Sequence, residues 1–345
     1  MKKRVHISEC TDADILAEDL TNSQGVLLLS CGTIVNDYII GKLAELGIEY
    51  LLIADKMENK ECSFADYHFF EKKYDNCVDV IKHLILELAK GKKIDYEVLN
   101  EVTDLVVSAG QEPEYIIKCL GKIRCADEYT YYHSVNTSLY TMMIASQLNL
   151  GREDIRNVIW AGLLHDLGKA KISNDLLNKQ EKLTVADYEE IKRHVIYGYE
   201  LIKDEDQIPD MIKEVILMHH EREDKSGYPF RISGDDLSIF TKIVAVADVF
   251  DAMTSNRVYK KALTPFDAFE EFSAVCIGRL DIHIINSLLS SLLKYYTGSR
   301  VLLSNGQYGN IAYIPPHCMW KPVIDTGLSF LDLSTVKEVT IIGVV

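Results

Sequence analysis

The sequence predicts a mainly α-helical protein with a small strand-containing module at each end. Apolar residues recur at helical spacings through most of residues 63–296, as in Val80, Leu84 and Leu88. Short apolar runs bounded by turn residues come before this region, and the hairpin signal Asn305-Gly306 comes after it. The expected fold is therefore an all-α domain flanked by a small N-terminal α+β module and a small C-terminal β-rich module.

The first 62 residues are the predicted α+β module. Two apolar runs, GVLLL and YLLIA, have the length and composition of short strands. The turn-forming segment NSQG overlaps the start of the first run, and a helical pattern over residues 37–46 separates the two runs. This order of patterns predicts strands interrupted by one helix.

Helix start signals recur within residues 63–296, which are predicted to form one helical domain. Thr184 followed by Asp187 resembles a capping box, and Pro209 and Pro265 suit the start of a helix, where an N–H donor is not needed. After residue 296 the pattern changes to RVLLSNGQYGNIAYI and, beyond a double proline, KEVTIIGVV. Residues 297–345 are therefore predicted as the β-rich module.

Composition excludes several classes of protein. No apolar run approaches the roughly 20 residues that span a bilayer, and acidic residues near the start argue against a secretory signal. The eight cysteines form no CxxC pair, which favours reduced thiols and a cytoplasmic location. A net charge of -15 argues against a nucleic-acid polymer as partner. It does not argue against a small anionic substrate, because local cations or metal ions can reverse the field in a cleft.

Histidines and aspartates at the ends of predicted helices form the main candidate site. Helices joined by turns can each direct one ligand into a shared interior, as dimetal helical bundles do. Asp248 lies in the apolar stretch IVAVADVF, where an unpaired carboxylate would be costly to bury. A single histidine on a helix is more often structural, but this clustering favours a metal site. The candidate ligands are His133, His165, Asp166, His194, His219, His220 and Asp248.

The order of motifs resembles the HD-GYP family of cyclic-dinucleotide phosphodiesterases, a branch of the HD-domain phosphohydrolases. The motifs are HDLGK at 165–169, HHE at 219–221 and GYP at 227–229. Tyr129-Thr130 and His133-Ser134 precede them, and Ala247-Asp248, DAMTS at 251–255, Arg257 and Tyr259-Lys260 follow. The resemblance covers roughly residues 125–270 and implies an HD-type helical domain.

The resemblance implies two divalent metals that share one carboxylate. His133, His165, Asp166 and Asp248 would surround one metal, and Asp166, His194, His219 and His220 the other. Mixed nitrogen and oxygen ligands suit iron or manganese, and zinc is also compatible with them. Relatives with a third metal place Glu four residues before the first histidine. Tyr129 occupies that position here, which favours two metals.

The implied reaction is hydrolysis of cyclic di-GMP to pGpG, and onward to GMP if the second bond is also cut. A hydroxide bridging two metals would attack the phosphate in line. Asp166 and Lys169 are the predicted catalytic residues: Lys169, one helical turn after His165, would place a cation beside the scissile phosphate. The alternative for Lys169 is a favourable charge at a helix C-terminus.

Four residues are expected to contact the substrate: Tyr228, Asp251, Arg257 and Lys260. Arg257 can bind phosphate through paired donors or stack on guanine, and its alternative is an ordinary surface cation. One position departs from the family pattern, because Lys225 follows Asp224 where Gly is usual. Lys adopts a positive φ only at a cost, so this loop is expected to differ in shape, or its cation to help hold the substrate.

Two other functions remain open. Another HD-type phosphohydrolase would act on a different nucleotide, such as cyclic GMP-AMP or an alarmone, and a receptor would bind a cyclic dinucleotide without cleaving it. The GYP segment favours a cyclic dinucleotide, and the complete ligand set favours turnover. Further partners expected are a second copy of the chain or signalling proteins, and no membrane.

Overall fold

A computed structural model describes most of the chain. The described residues are 2–11, 14–18, 20–21, 27–29, 33, 35–54, 64–109, 129–179, 181–254, 264–293, 295–315, 318–336 and 338–344. Their helices are α1 Asp37–Glu45, α2 Phe64–Ala89, α3 Tyr96–Ala109, α4 Tyr129–Gln147, α5 Arg152–Leu164, α6 Asn174–Leu177, α7 Val185–Lys192, α8 His194–Ile202, α9 Asp210–Met218, α10 Ile239–Thr254, α11 Pro265–Cys276 and α12 Ile282–Leu293. Their strands are β1 Lys2–His6, β2 Ile15–Leu16, β3 Leu20–Thr21, β4 Leu27–Leu29, β5 Tyr50–Ala54, β6 Arg300–Leu303, β7 Tyr308–Tyr313, β8 Val323–Asp325, β9 Phe330–Asp332 and β10 Ile341–Val344.

The predicted fold class is confirmed, since strands flank a helical centre on both sides. Contacts divide the chain into two compact units. One comprises residues 1–62, 263–270 and 289–345, and the other comprises residues 63–262 and 271–288. The sequence predicted three consecutive modules, and that division stays a prediction.

The unit that contains both chain ends is built on antiparallel sheets. Strands β1, β5 and β2 form one sheet in the order β1-β5-β2, and a five-stranded sheet has the order β10-β6-β7-β8-β9. The predicted hairpin joins β6 to β7, and Gly306 there has a φ of 84°, which suits glycine. Asn36 caps α1 and also donates to the carbonyl of Ala312 on β7 at 2.5 Å. The two terminal segments therefore contact each other, which the sequence did not indicate.

Helix α4 forms the centre of the helical unit. Every residue from His133 to Ala145 is buried, so this helix has no solvent-facing side over that stretch. Helices α2, α3, α5 and α10 pack around it. The polar side chains it buries are partly satisfied by its own backbone, as where Ser138 donates to the carbonyl of Val135 at 2.7 Å. A ligand on α4 is therefore held by packing from several neighbours.

Candidate metal centre

Five of the seven predicted ligands lie at or directly beside the end of a helix, and the other two lie within helices. His165 follows the last residue of α5 and Asp166 comes next, while His194 is the first residue of α8. His219 follows the last residue of α9, with His220 directly after it. His133 lies near the start of α4 and Asp248 lies within α10. A helix end frees the neighbouring side chain from the helical repeat, so the ligands at helix ends can turn inward, while the buried sides of α4 and α10 direct His133 and Asp248 inward.

Close backbone packing at Gly168 brings Asp166 to the start of α8. A Cβ on Gly168 would overlap the carbonyl oxygen of His194 and approach the amide nitrogen of Gly198. Only glycine permits this approach between the 3-10 turn Leu167–Lys171 and α8. The glycine of the HDLGK motif therefore sets the distance between Asp166 and His194.

Asp166 lies between two groups of histidines. Its Oδ2 is 3.4 Å from Nε2 of His165 and 3.7 Å from Nε2 of His133. Its Oδ1 is 3.3 Å from Nε2 of His194 and 4.0 Å from Nε2 of His219. One carboxylate thus faces two ligand sets, with one oxygen toward each.

These donors form two clusters of metal-ligand geometry that share Asp166. One cluster contains His133, His165 and Asp166, and the other contains Asp166, His194, His219 and His220. Asp248 borders both, since its Oδ1 is 3.0 Å from Nε2 of His133 and its Oδ2 is 3.8 Å from Nδ1 of His220. The structure therefore brings all seven predicted ligands together.

The outer ring nitrogens of the histidines are fixed by hydrogen bonds. Nδ1 of His165 contacts the carbonyl of Gly162 at 2.8 Å, Nδ1 of His194 that of Ile191 at 2.7 Å, and Nδ1 of His219 that of Ile216 at 3.0 Å. A carbonyl only accepts, so each Nδ1 must carry the proton. Each Nε2 of a neutral ring then presents a lone pair to the interior, as a metal ligand does.

The donor set fits divalent cations. Nε2 of His194 and Nε2 of His219 face each other at 3.4 Å, and two lone pairs at this distance repel unless a cation lies between them. Nε2 of His165 and Oδ1 of Asp166 are buried and have no hydrogen-bond partner among the described residues. Buried polar atoms rarely stay unpaired. Burial also lowers the pKa of His194 to about 4, which keeps its ring neutral and able to bind a metal at neutral pH.

Lys169 reaches Asp166 by a different path from the one predicted. Helix α5 ends at Leu164, so Lys169 does not lie one helical turn after His165 but in the 3-10 turn Leu167–Lys171. Its Nζ is 2.5 Å from Oδ2 of Asp166. The predicted cation is therefore beside the shared carboxylate, although the predicted helical geometry is wrong because the chain leaves the helix before His165.

Tyr228 lies against the second ligand cluster. Its ring stacks on that of His220, with centroids 4.6 Å apart, and the Nζ of Lys192 is 5.6 Å from its centroid. The loop that holds it is anchored by Glu221, whose Oε1 accepts from the amides of Phe230 at 2.6 Å and Arg231 at 2.9 Å. Glu221 is the last residue of the HHE motif, and the sequence did not predict this anchoring role.

Asp251 contacts two side chains of α4. It is 1% exposed, and its two oxygens contact Nδ1 of His133 at 2.6 Å and Nδ2 of Asn136 at 2.8 Å. The predicted contact of Asp251 with substrate stays a prediction. Arg257 and Lys260, the other expected substrate contacts, lie outside the described residues.

The position four residues before His133, where relatives with a third metal have Glu, contains an aromatic ring. Tyr129 stacks on His133 with ring centroids 5.7 Å apart and planes 8° from parallel. The ring is in contact with the first ligand cluster, and a phenol does not supply the carboxylate that relatives with three metals use there.

Residues 123–277 match the HD domain family. This part of the chain is an HD domain. The chain is 32% identical over 219 residues to a cyclic di-GMP phosphodiesterase of Pseudomonas aeruginosa, covering 64% of this chain and 53% of that protein. It is 29% identical over 240 residues to a cyclic di-GMP phosphodiesterase of Thermotoga maritima, covering 69% of this chain and 61% of that protein. The resemblance that the motifs predicted is confirmed.

A third relative has a different substrate in its name. The chain is 36% identical over 155 residues to a 3'3'-cGAMP-specific phosphodiesterase of Vibrio cholerae, covering 45% of this chain and 33% of that protein. The chain spans less than two thirds of the length of each of these three relatives. Among the helices that the structure describes, none has the length and apolar character needed to cross a membrane.

Proposed function

We propose that the protein is a metal-dependent phosphodiesterase that hydrolyses a cyclic dinucleotide, with cyclic di-GMP as its main substrate. The observation that supports this most is the position of Asp166, whose Oδ1 and Oδ2 face two separate groups of histidines. A shared carboxylate of this kind is suited to two cations held close together. The names of the relatives support the choice of substrate.

The proposed metals are two divalent transition ions, iron or manganese. His133, His165, Asp166 and Asp248 would hold one, and Asp166, His194, His219 and His220 the other. Histidine nitrogens and carboxylate oxygens, without cysteine, favour these ions. When bound, such a pair supplies a nucleophilic water at neutral pH and neutralises charge on a phosphate.

The residues of the chain would perform the other tasks. Lys169 brings a positive charge to the edge of the ligand clusters, where its side chain is about one fifth exposed, at 22%. An ammonium there can stabilise charge that develops on a phosphate during attack. It does not compete for a metal, because a protonated lysine has no lone pair.

Tyr228 would shape the entrance on the other side. Its ring covers His220, and Lys192 lies between this ring and that of Tyr188, with its Nζ 4.6 Å from the Tyr188 centroid. This arrangement adds a local cation to a protein with a net charge of -15. Local positive charge of this kind favours an anionic dinucleotide despite the acidic surface.

The experiment is product analysis with protein of known metal content. Protein stripped by a chelator and reloaded with Mn²⁺ or Fe²⁺ is incubated with cyclic di-GMP, 3'3'-cyclic GMP-AMP and a panel of nucleoside phosphates. We expect linear dinucleotide from a cyclic dinucleotide only when the protein is metal-loaded. The Asp166→Asn variant, purified in parallel, is the inactive control.

Two results would contradict the proposal. Hydrolysis of a nucleoside phosphate but of neither cyclic dinucleotide would indicate another HD-type phosphohydrolase. Tight binding of cyclic di-GMP by fully metal-loaded protein without any cleavage would indicate a receptor. Preference for cyclic GMP-AMP over cyclic di-GMP would keep the reaction and change the substrate.

A further inference from the structure

His133 is oriented differently from His165, His194 and His219. His165, His194 and His219 each direct Nδ1 to a carbonyl three residues earlier in the chain, so the backbone that directly precedes each ring fixes it. Nδ1 of His133 instead contacts a carboxylate oxygen of Asp251, on α10, at 2.6 Å. The orientation of His133 therefore depends on a side chain from another helix.

The contact continues through two more buried side chains. The other oxygen of Asp251 accepts from Nδ2 of Asn136 at 2.8 Å. Oδ1 of Asn136 in turn accepts a short hydrogen bond from the hydroxyl of Tyr74, on α2. Tyr74, Asn136 and Asp251 are each at most 5% exposed, so water does not compete for these bonds.

The direction of every bond in this chain follows from its members. An ionised carboxylate only accepts, so Asp251 requires a donor from both His133 and Asn136. Asn136 must then present its NH₂ group to Asp251, which leaves its carbonyl oxygen for Tyr74, and a phenol can donate to that oxygen. The result is one consistent arrangement, in which Nδ1 of His133 carries the proton and Nε2 faces Asp248 at 3.0 Å.

We infer that Tyr74, Asn136 and Asp251 form a relay of positioning residues that orients His133 and sets the metal affinity of the His133 cluster alone. The inference rests on the metal centre proposed above. A carboxylate bonded to the outer nitrogen of a ligand histidine fixes the ring and strengthens its donor atom. The other cluster takes His194 and His219 from their own helix ends, so it should not respond to the relay.

The relay predicts a graded series of effects on Mn²⁺ binding. Loss of a partner bonded directly to a ligand typically weakens metal binding about 10- to 100-fold, so Asp251→Asn should have an effect of this size. Asn136→Leu removes the support of Asp251 and should weaken binding about tenfold. Tyr74→Phe removes one neutral hydrogen bond and should weaken binding about two- to tenfold.

Tyr132→Phe is the matched control. The ring of Tyr132 lies 5.9 Å from that of Tyr74, and its hydroxyl donates to Asp75 at 3.3 Å, outside the relay. This variant also removes one phenolic oxygen from the same pair of rings. It should leave both Mn²⁺ affinities unchanged.

The experiment measures Mn²⁺ occupancy of the full chain by equilibrium dialysis over a range of free Mn²⁺, with the folded state checked by circular dichroism. We expect one of two binding steps to move to higher Mn²⁺ in each relay variant. The paramagnetic resonance spectrum at intermediate Mn²⁺ should change from a coupled pair to an isolated ion. If Asn136→Leu does not fold, the same Mn²⁺ measurement on Tyr74→Phe, which removes a single oxygen atom, still tests the relay.

A double-mutant cycle separates positioning from general destabilisation. If the relay acts through His133, Asn136→Leu should have no further effect on Mn²⁺ affinity in a His133→Ala background. An equal effect in both backgrounds would overturn the inference, as would an equal weakening of both binding steps or unchanged binding in all relay variants. Hydrolysis of cyclic di-GMP is measured separately and judges the proposed function, because Mn²⁺ binding requires no substrate.

Discussion

Lys169 and Asp166 form a close ion pair, with the ammonium nitrogen 2.5 Å from Oδ2 of the carboxylate. Burial by itself would raise the pKa of Asp166, but the Lys169 ammonium holds this pKa well below its usual range. The shared carboxylate therefore stays ionised despite being buried. Both of its oxygens remain available as acceptors, and this is what a bridging ligand requires.

Asp166→Asn should remove both metals. The amide has one oxygen in place of two and carries no charge, so it cannot serve both histidine clusters. We expect elemental analysis of the purified variant to show less than about half an ion per chain, against about two in the wild type. The control is His194→Ala, which should lose mainly one ion. Full occupancy in Asp166→Asn would sink the bridging assignment.

Lys169→Met should slow the reaction without emptying the site. The methionine keeps much of the length of the side chain and removes its charge. Loss of a charge-stabilising donor costs on the order of 10²–10³ in kcat elsewhere, so kcat and kcat/KM should fall together by about this factor. Single-turnover hydrolysis of cyclic di-GMP by samples of matched metal content is the measurement.

Lys171→Met is the control for Lys169→Met. Lys171 lies in the same 3-10 turn, and its Nζ donates to the carbonyl of Ala89 at 2.5 Å, away from Asp166. The rate of single-turnover hydrolysis by Lys171→Met should stay within about twofold of the wild-type rate, as is usual for surface substitutions. Equal rates for wild type and Lys169→Met would remove Lys169 from the chemistry.

The ligands could be found from sequence because the clues were local and redundant. Five histidines and two aspartates at helix ends were enough to indicate one site, and the motif order identified its class. The position of Lys169 relative to His165 was not predicted correctly, because the sequence pattern did not show where the helix ends. A repeat of 3.6 residues predicts one turn between His165 and Lys169, but the helix ends at Leu164 and a 3-10 turn follows.

The role of Asp251 could not be predicted because it depends on which helices meet. Its spacing from Asp248 places both on one side of α10, but it does not say that Asp251 faces His133 and Asn136. One signal was available: Asn136 lies three positions after His133, which places the two side chains on one side of a helix. A buried amide needs partners, so it pointed to a network without naming its members.

Arg257→Ala should weaken substrate binding and leave metal content unchanged. Arg257 lies outside the described residues, so this prediction rests on the family motif alone. A hydrogen bond to a charged group is worth about 1.5–3 kcal/mol, which corresponds to a rise in KM of roughly 10- to 100-fold for cyclic di-GMP. Arg257→Lys retains the charge without the paired donors, so its KM should lie between those of the wild type and Arg257→Ala. An unchanged KM in Arg257→Ala would make Arg257 an ordinary surface cation.

Lys225→Gly should stabilise the protein. Lys225 has a φ of 63°, so it keeps the left-handed conformation that suits the family's usual glycine, and its amide donates to the carbonyl of Arg222 at 3.0 Å. The left-handed region costs a residue with a Cβ about 1–2 kcal/mol, and glycine avoids this cost. Glycine also increases the conformational entropy of the unfolded chain, which offsets part of the gain in stability. The net gain expected in the free energy of unfolding is about 1 kcal/mol, measured by urea denaturation.

Lys225→Ala separates the effect of backbone shape from that of charge. Alanine keeps the Cβ and the strained φ but removes the ammonium, so its stability should match that of the wild type within about 0.5 kcal/mol. If the cation helps to hold the substrate, both variants should raise the KM for cyclic di-GMP equally; if only loop shape matters, Lys225→Ala should behave as the wild type. A Lys225→Gly protein less stable than Lys225→Ala would show that the left-handed conformation is not costly at this position.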